Sequence, residues 1–258
     1  MTTMKIHQIF FKNTLRNFCY LISFSDGAIY CIDPFHSDLV LTHLKDQKLM
    51  GIINTHDHCD HHSGNDELID RFGCEVWAHK EAIVPGKTKN LSDHEIIHQR
   101  GEWCLKSLYT PGHTMSHLAV MLEKDYKPYA LFTGDCFFNA GVGNCHNGGN
   151  PEVQYETISK IFGNFPDELL IYPGHEYLKR NLEFTKKYEP HNTDAQSFLN
   201  IIESQNLDEV FYINSMKIER TINTFIRLNS SDLRTELHLE NSDEKKVFLT
   251  LRELRNRW

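Results

Sequence analysis

The sequence predicts an α/β protein, and three observations carry that prediction. Short apolar, β-branched runs alternate with stretches of helical spacing through the first 175 residues. Several of those runs end in a turn marked by Gly or Pro and followed by histidine or aspartate. Beyond about residue 176 the texture becomes charged and helix-favouring, with few strand signals. The chain therefore divides into residues 1–175, rich in strands, and residues 176–258, a small helical domain. Its 258 residues suffice for one sizeable core with an appendage.

Residues 4–11, 18–24 and 28–33 read as strands, with Ser25-Asp26-Gly27 as a hairpin signal and Ile32-Asp33-Pro34 closing the third. A helix is predicted over 37–48, where Leu39, Leu41 and Leu44 are among the apolar positions. Met50-Gly51-Ile52-Ile53-Asn54 is a buried strand, 67–72 a helix and 74–78 a further strand. The polar stretch 79–100 reads as loop, with His79, His94 and His98 solvated. Strands at 103–108, 117–122 and 128–133 form a second sheet. The glycine-rich stretch 141–151 reads as a loop, and a helix over 152–162 starts after its proline. A strand at 169–172 precedes charged helical stretches over 177–187, 194–204 and 231–258. No internal repeat or low-complexity segment occurs.

Composition narrows the function. Hydrophobic residues make up 40% and charged residues 24%, as in soluble globular enzymes. A net charge of −8 argues against general nucleic-acid binding. No apolar run approaches the ~20 residues of a membrane helix, and residues 1–7 lack the apolar core of a secretory leader. A cytoplasmic address with no membrane partner is expected. The seven cysteines form no Cys-x-x-Cys pair and most lie in apolar strands, so no disulfide framework is expected.

The chemistry concentrates in Thr55-His56-Asp57-His58-Cys59-Asp60-His61-His62. Positions 56 to 62 hold four of the chain's 16 histidines and two aspartates, at a turn between a strand and a helix. His56 and His58 are two apart, so in extended backbone their rings leave on one side and converge on one cation. Asp60 and His61 follow where the chain turns, offering an oxygen and a nitrogen to a second cation. Imidazole with carboxylate suits zinc, iron or manganese better than calcium or magnesium. The plain alternative is a solvated, histidine-rich turn. Three further strand ends argue against it: Tyr109-Thr110-Pro111-Gly112-His113-Thr114, Leu131-Phe132-Thr133-Gly134-Asp135, and Ile171-Tyr172-Pro173-Gly174-His175-Glu176. Each alone is an ordinary turn or cap; in this order they form a pattern.

With these four motifs the chain resembles the metallo-β-lactamase superfamily, and within it glyoxalase II, the hydroxyacylglutathione hydrolases. Phe137-Phe138, Gly141-Val142-Gly143, Tyr177, Tyr188-Glu189-Pro190-His191-Asn192 and Thr221-Ile222-Asn223-Thr224-Phe225-Ile226-Arg227 extend the likeness almost end to end. The resemblance implies an αββα metallo-β-lactamase sandwich over 1–175, with a C-terminal helical substrate-binding domain over 176–258. It implies two divalent metal ions, zinc ahead of iron or manganese, one on His56, His58 and His113 and the other on Asp60, His61 and His175. Asp135 bridges them, and Asp60 and Asp135 flank the attacking, metal-bridging water. Cys59 and Cys136 adjoin these ligands, but both sites are complete without a thiolate.

The same resemblance implies a small-molecule substrate, S-(2-hydroxyacyl)glutathione, cleaved to glutathione and a 2-hydroxy acid. Tyr177 and Arg255 match its substrate-binding residues. The chain departs from the pattern where the family carries a lysine and a tyrosine, here Asn144 and His146, and where a family lysine falls on Trp258. Each lost charge-assisted bond is worth about 1.5–3 kcal/mol. The alternatives are therefore a hydrolase of another thioester, a lactone or another ester with weakened glutathione recognition, and a non-catalytic metal-binding protein. Persulfide dioxygenases share a similar opening motif, but the helical tail resembles glyoxalase II.

Overall fold

The apolar runs of the first half fold as strands because β-branched and aromatic side chains fit a pleated, buried surface. The structure, a computed structural model, describes residues 4–258; residues 1–3, part of the stretch read for a leader, lie outside the described residues. Two compact units organise the chain, one of residues up to Tyr109 with Ser116–Gly134, the other of Thr110–Met115 with Asp135–Trp258.

The first unit holds β1 (Lys5–Phe10), β2 (Phe18–Ser23) and β3 (Ile29–Ile32) as an antiparallel run. β4 (Gly51–Ile53), β5 (Glu75–His79) and β6 (Lys89–Leu91) continue the same sheet in parallel. Parallel neighbours need crossovers, and α1 (Ser37–Leu44) and α2 (Asn65–Phe72) supply them. α2 stops at Gly73, whose φ of 60° is the left-handed cap that glycine adopts without strain. Val40, Leu44 and Leu68 of the helices pack with Cys31, Ile52 and Val76 of the strands in one buried cluster. Each such side chain stabilises the fold by about 1.5–3 kcal/mol.

A second, antiparallel sheet runs β10-β9-β8-β7, from β7 (Ile96–Arg100), β8 (Trp103–Tyr109), β9 (Leu118–Lys124) and β10 (Lys127–Gly134). Asp125 and Tyr126, at φ 49° and 62°, make the two-residue turn joining β9 to β10, the handedness that matches strand twist. The two sheets of this unit meet face to face, Tyr20 lying 5.0 Å from Phe132 ring to ring and Phe24 4.5 Å from His98.

The stretch 79–100 departs from the loop expectation, since β6 and β7 lie in it. Leu91, Ile96 and Ile97 are their only apolar residues, too short a run to signal a strand; pairing with β5 and β8 makes them strands. His79 is buried and stacks on Tyr109 at 4.9 Å, and His98 is 3.2 Å from Asp26, so neither is a solvated loop residue. His94 is exposed.

The second unit contains the short hairpin β11 (Phe137–Phe138) and β12 (Gly141–Val142), then α3 (Pro151–Lys160) and β13 (Leu170–Pro173). The Asn150 side chain caps α3, accepting from the Glu152 and Val153 amides, with Pro151 in the first turn. Then follow α4 (Leu178–Tyr188), α5 (Thr193–Glu203), α6 (Met216–Ile222), α7 (Ser231–Glu236) and α8 (Glu244–Asn256). Leu178 and Leu182 of α4 pack on Leu199 and Ile202 of α5, and Phe225 meets Phe184 and Phe248. The single stretch expected over 231–258 is thus two helices, and α6 is an additional one. Among the described residues no helix is long and apolar enough to cross a membrane.

Candidate metal centre

Because β3 and β4 are parallel, with Ile32 opposite Ile53, both open at the same end. Asp33 follows one and Thr55-His56 the other, at the carboxyl ends where open α/β sheets keep their ligands. Asp33 accepts from the Thr55 amide at 2.8 Å and the Thr55 hydroxyl at 2.6 Å, and its Oδ2 is 3.0 Å from His61 Nδ1. Since that hydroxyl proton goes to Asp33, Thr55 Oγ1 receives the His56 Nδ1 proton at 3.0 Å. Both rings therefore carry their proton on Nδ1 and present Nε2 as the atom able to ligate a cation.

The turn Cys59–His61, closed by the His61 amide on the His58 carbonyl at 3.0 Å, carries Asp60 and His61. Asn17, buried, donates its amide to Asp60 Oδ2 at 3.0 Å and to the Asp60 carbonyl at 3.1 Å. Asp60 Oδ2 lies 3.5 Å from His61 Nε2. His56 lies 4.6 Å from His58, 4.2 Å from His61 and 5.2 Å from His117, ring to ring. Ligand atoms of Asp33, His56 and His61 fall within 4.8 Å of one another. His56, His58, Asp60 and His61 thus lie together on one unit, with Asp33, Asn17 and His117 around them.

The second unit carries the other candidates. Gly112, at φ 139°, is required before His113, because a Cβ there would lie 2.4 Å from Gln154 Cα. His113 Nδ1 donates to the Asn144 carbonyl at 2.6 Å, so its Nε2 is an acceptor. That atom faces Asp135 Oδ2 at 3.5 Å, and His175 Nε2 faces Asp135 Oδ1 at 3.2 Å. Two lone-pair atoms held toward each other, as His113 and Asp135 are, fit a cation between them. The donors, imidazole nitrogen and carboxylate oxygen, are those of a divalent transition-metal site.

Of the expected substrate residues, Tyr177 stacks on His175 at 5.0 Å with the rings 3° apart. Arg255 donates to Asn181 Oδ1 at 3.0 Å and lies 5.7 Å above the Phe184 ring, which Trp258 meets edge-on. Burial, chiefly, and the nearby Arg180 lower the Arg255 pKa to about 10, leaving it a cation at neutral pH. Asn144 and His146 are exposed, and the Asn144 side chain accepts from the His146 amide at 3.1 Å. Cys59 is exposed and Cys136 buried, its thiol pushed well up by burial. No donor group among the described residues includes a cysteine.

Asp33, Asn17 and His117 escaped sequence reasoning. Asp33 had a signal, an acid ending a strand before Pro34; Asn17 had none, since its partner Asp60 is 43 residues away.

This fold and these donors define a class, and the comparisons agree. Residues 15–175 match the model of the metallo-beta-lactamase superfamily, and 176–258 match that of the hydroxyacylglutathione hydrolase C-terminus. The ETHE1 structure from Myxococcus xanthus superposes with a TM-score of 0.66 at 20% identity, covering 98% of each chain. A metallo-beta-lactamase from Staphylococcus aureus gives 0.67 at 20%, covering 98% of this chain and 72% of that one. At those identities the likeness is one of fold. The hydroxyacylglutathione hydrolase of Nitrosococcus oceani is 40% identical over 99% of this chain and all of its own length. That of Polaromonas sp. is 35% identical over the same shares, and that of Dictyostelium discoideum 31% over 87% of each. The chain belongs to the hydroxyacylglutathione hydrolase family, with an α/β metallo-β-lactamase fold and a C-terminal helical domain.

Proposed function

We propose that the chain is a cytoplasmic, metal-dependent thioester hydrolase that cleaves S-(2-hydroxyacyl)glutathione, S-lactoylglutathione among them, to glutathione and a 2-hydroxy acid. Residues 1–175 form the catalytic domain and 176–258 the substrate-binding domain in this reading. One observation carries it most directly: the Asp135 carboxylate turns one oxygen to His113 and the other to His175, as a bridging ligand must. In this reading His56, His58 and His113 would hold one divalent ion and Asp60, His61 and His175 the other, since imidazole nitrogen and carboxylate oxygen are donors such ions take. Zinc leads, with iron and manganese also suited.

When bound, the ions supply water activation near neutral pH and polarisation of the thioester carbonyl. The chain's own side chains set the rest. Asn17 holds the Asp60 carboxylate, and in this reading Asp60 and Asp135 would be the carboxylates serving the attacking water. Asp33, through Thr55 and His61, fixes the proton on Nδ1 of two ligand histidines. A thiol of pKa about 8.5 leaves as thiolate without a general acid, so a thioester suits a site whose acids are ligands. Arg255 and Tyr177 receive the glutathione moiety, with Asn144 and His146 at the loop beside it.

Turnover of S-lactoylglutathione by the metal-loaded protein tests this. Chelation abolishes it, and His58→Ala lowers kcat/KM by more than about 100-fold, beyond the usual loss from an outer-shell change. Turnover no faster than that of free metal in buffer sinks the reading. A second reading, hydrolysis of a thioester without glutathione's carboxylates, a lactone or another ester, is favoured by Asn144, His146 and Trp258. A substrate panel decides it, by preference for the analogue lacking both carboxylates.

A further inference from the structure

We propose that Arg252 of α8 is a positioning residue for the metal ligand His113, acting through the Gly143–Asn144 peptide; the inference rests on His113 being a ligand. Arg252 is 4% exposed, whereas Arg255 of the same helix is half-buried and Arg257, at its C-cap, is exposed. Its Nη1 donates to the Gly143 carbonyl at 2.7 Å and the Val142 carbonyl at 3.1 Å, and its Nε donates to Asn256 Oδ1 at 3.1 Å. All three acceptors are neutral. Burial of a guanidinium on neutral acceptors costs more than an apolar residue of the same volume, so packing alone does not explain an arginine there.

The geometry shows what the charge holds. The Gly143 carbonyl also accepts from Gln154 Nε2 of α3 at 2.9 Å. Two helices thereby fix one carbonyl, and the next one along, that of Asn144, accepts the His113 Nδ1 proton at 2.6 Å. The chain has no room to relax: a Cβ on Gly143 would lie 1.9 Å from the Asp135 carbonyl and 2.9 Å from His113 Nδ1. Any tilt of this peptide therefore turns the His113 ring or lengthens its hydrogen bond. Arg252 also lies 5.5 Å above the Phe225 ring, which sets the guanidinium in place from behind. The C-terminal helix thus acts on the metal centre through a carbonyl, not only on the substrate.

Metal affinity, measured by competition with a chromogenic zinc chelator on the full chain, is the test. Arg252→Met is expected to weaken zinc binding about 10–100-fold, the range for loss of an outer-shell partner, and Arg252→Lys to fall between it and the native chain. Arg227→Met serves as the control, since that arginine pairs with buried Glu189 in the same unit; it lowers thermal stability while zinc affinity holds. In the metal-free native protein the His113 ring proton gives a downfield, slowly exchanging NMR signal that Arg252→Met shifts or loses. Zinc affinity within twofold of native in a folded Arg252→Met protein overturns the proposal; should that variant not fold, native affinity in Arg252→Lys does the same. His113→Ala separates the two readings: if it leaves zinc affinity unchanged, the assignment of His113 fails, whereas weakened binding there with a native Arg252→Met defeats the positioning role alone.

Discussion

At the scale of single residues, the proposed ligands are only half of the candidate centre. Asp33 accepts three hydrogen bonds from Thr55 and His61 while its backbone sits at φ 53°, a left-handed conformation that Asp tolerates better than most side chains. Asp33→Asn replaces one acceptor oxygen by an NH2 group that faces donors. It should weaken zinc binding about 10–100-fold in a protein that still folds, measured by chelator competition; native affinity would contradict the relay from Asp33 through Thr55 to His56. The candidate donors themselves stood out because histidine and aspartate are rare in such density at strand ends. Asn17 and Arg252 did not, because what each does depends on a partner distant in the chain: Arg252 reaches Gly143 across 109 residues.

At the scale of elements, the legible strands were those with β-branched, buried faces, such as β2 and β4. β6 and β7 were hidden because Lys89, Asn90, Gln99 and Arg100 are polar and their pairing is decided by neighbours. Helix α6 was hidden for a related reason: it is only seven residues long and buries an acid, Glu219, between Met216 and Ile222. Glu219 is fully buried; its oxygens accept from the Ala140 amide at 2.9 Å, Asn214 at 2.7 Å and Asn223 at 3.0 Å. Burial raises its pKa from the ordinary 4.5 to about 7, against the lowering by those hydrogen bonds. A folded pKa above the unfolded one means the native state holds the proton more tightly. Its stabilising contribution is thus complete below about pH 4.5 and is lost as pH rises through about 7. The whole effect is of order 3 kcal/mol. Glu219→Gln cannot ionise, so its urea-unfolding free energy should fall less than the native protein's between about pH 5 and pH 8. Parallel pH profiles for the two proteins would refute the assignment.

At the scale of the molecule, the proposed ligands are divided between the two compact units. His56, His58, Asp60 and His61 lie in the first, and His113, Asp135 and His175 in the second. Each unit has its own buried core. An ion that binds the native chain and not the unfolded one stabilises it by mass action, about 2.7 kcal/mol at a free concentration 100 times the dissociation constant. For a chain of this length, 1 kcal/mol moves the melting midpoint by about 2–4 °C. Chelation should therefore lower Tm by roughly 5–10 °C, and zinc restored in excess should return it. The same cycle applied to His113→Ala and His58→Ala should give a smaller shift, since each removes a donor from one proposed ion and leaves the other ion's three in place. A midpoint indifferent to chelation in the native protein would mean that the donors of the two units do not share their cations, and the assignment of both ions would fall with it.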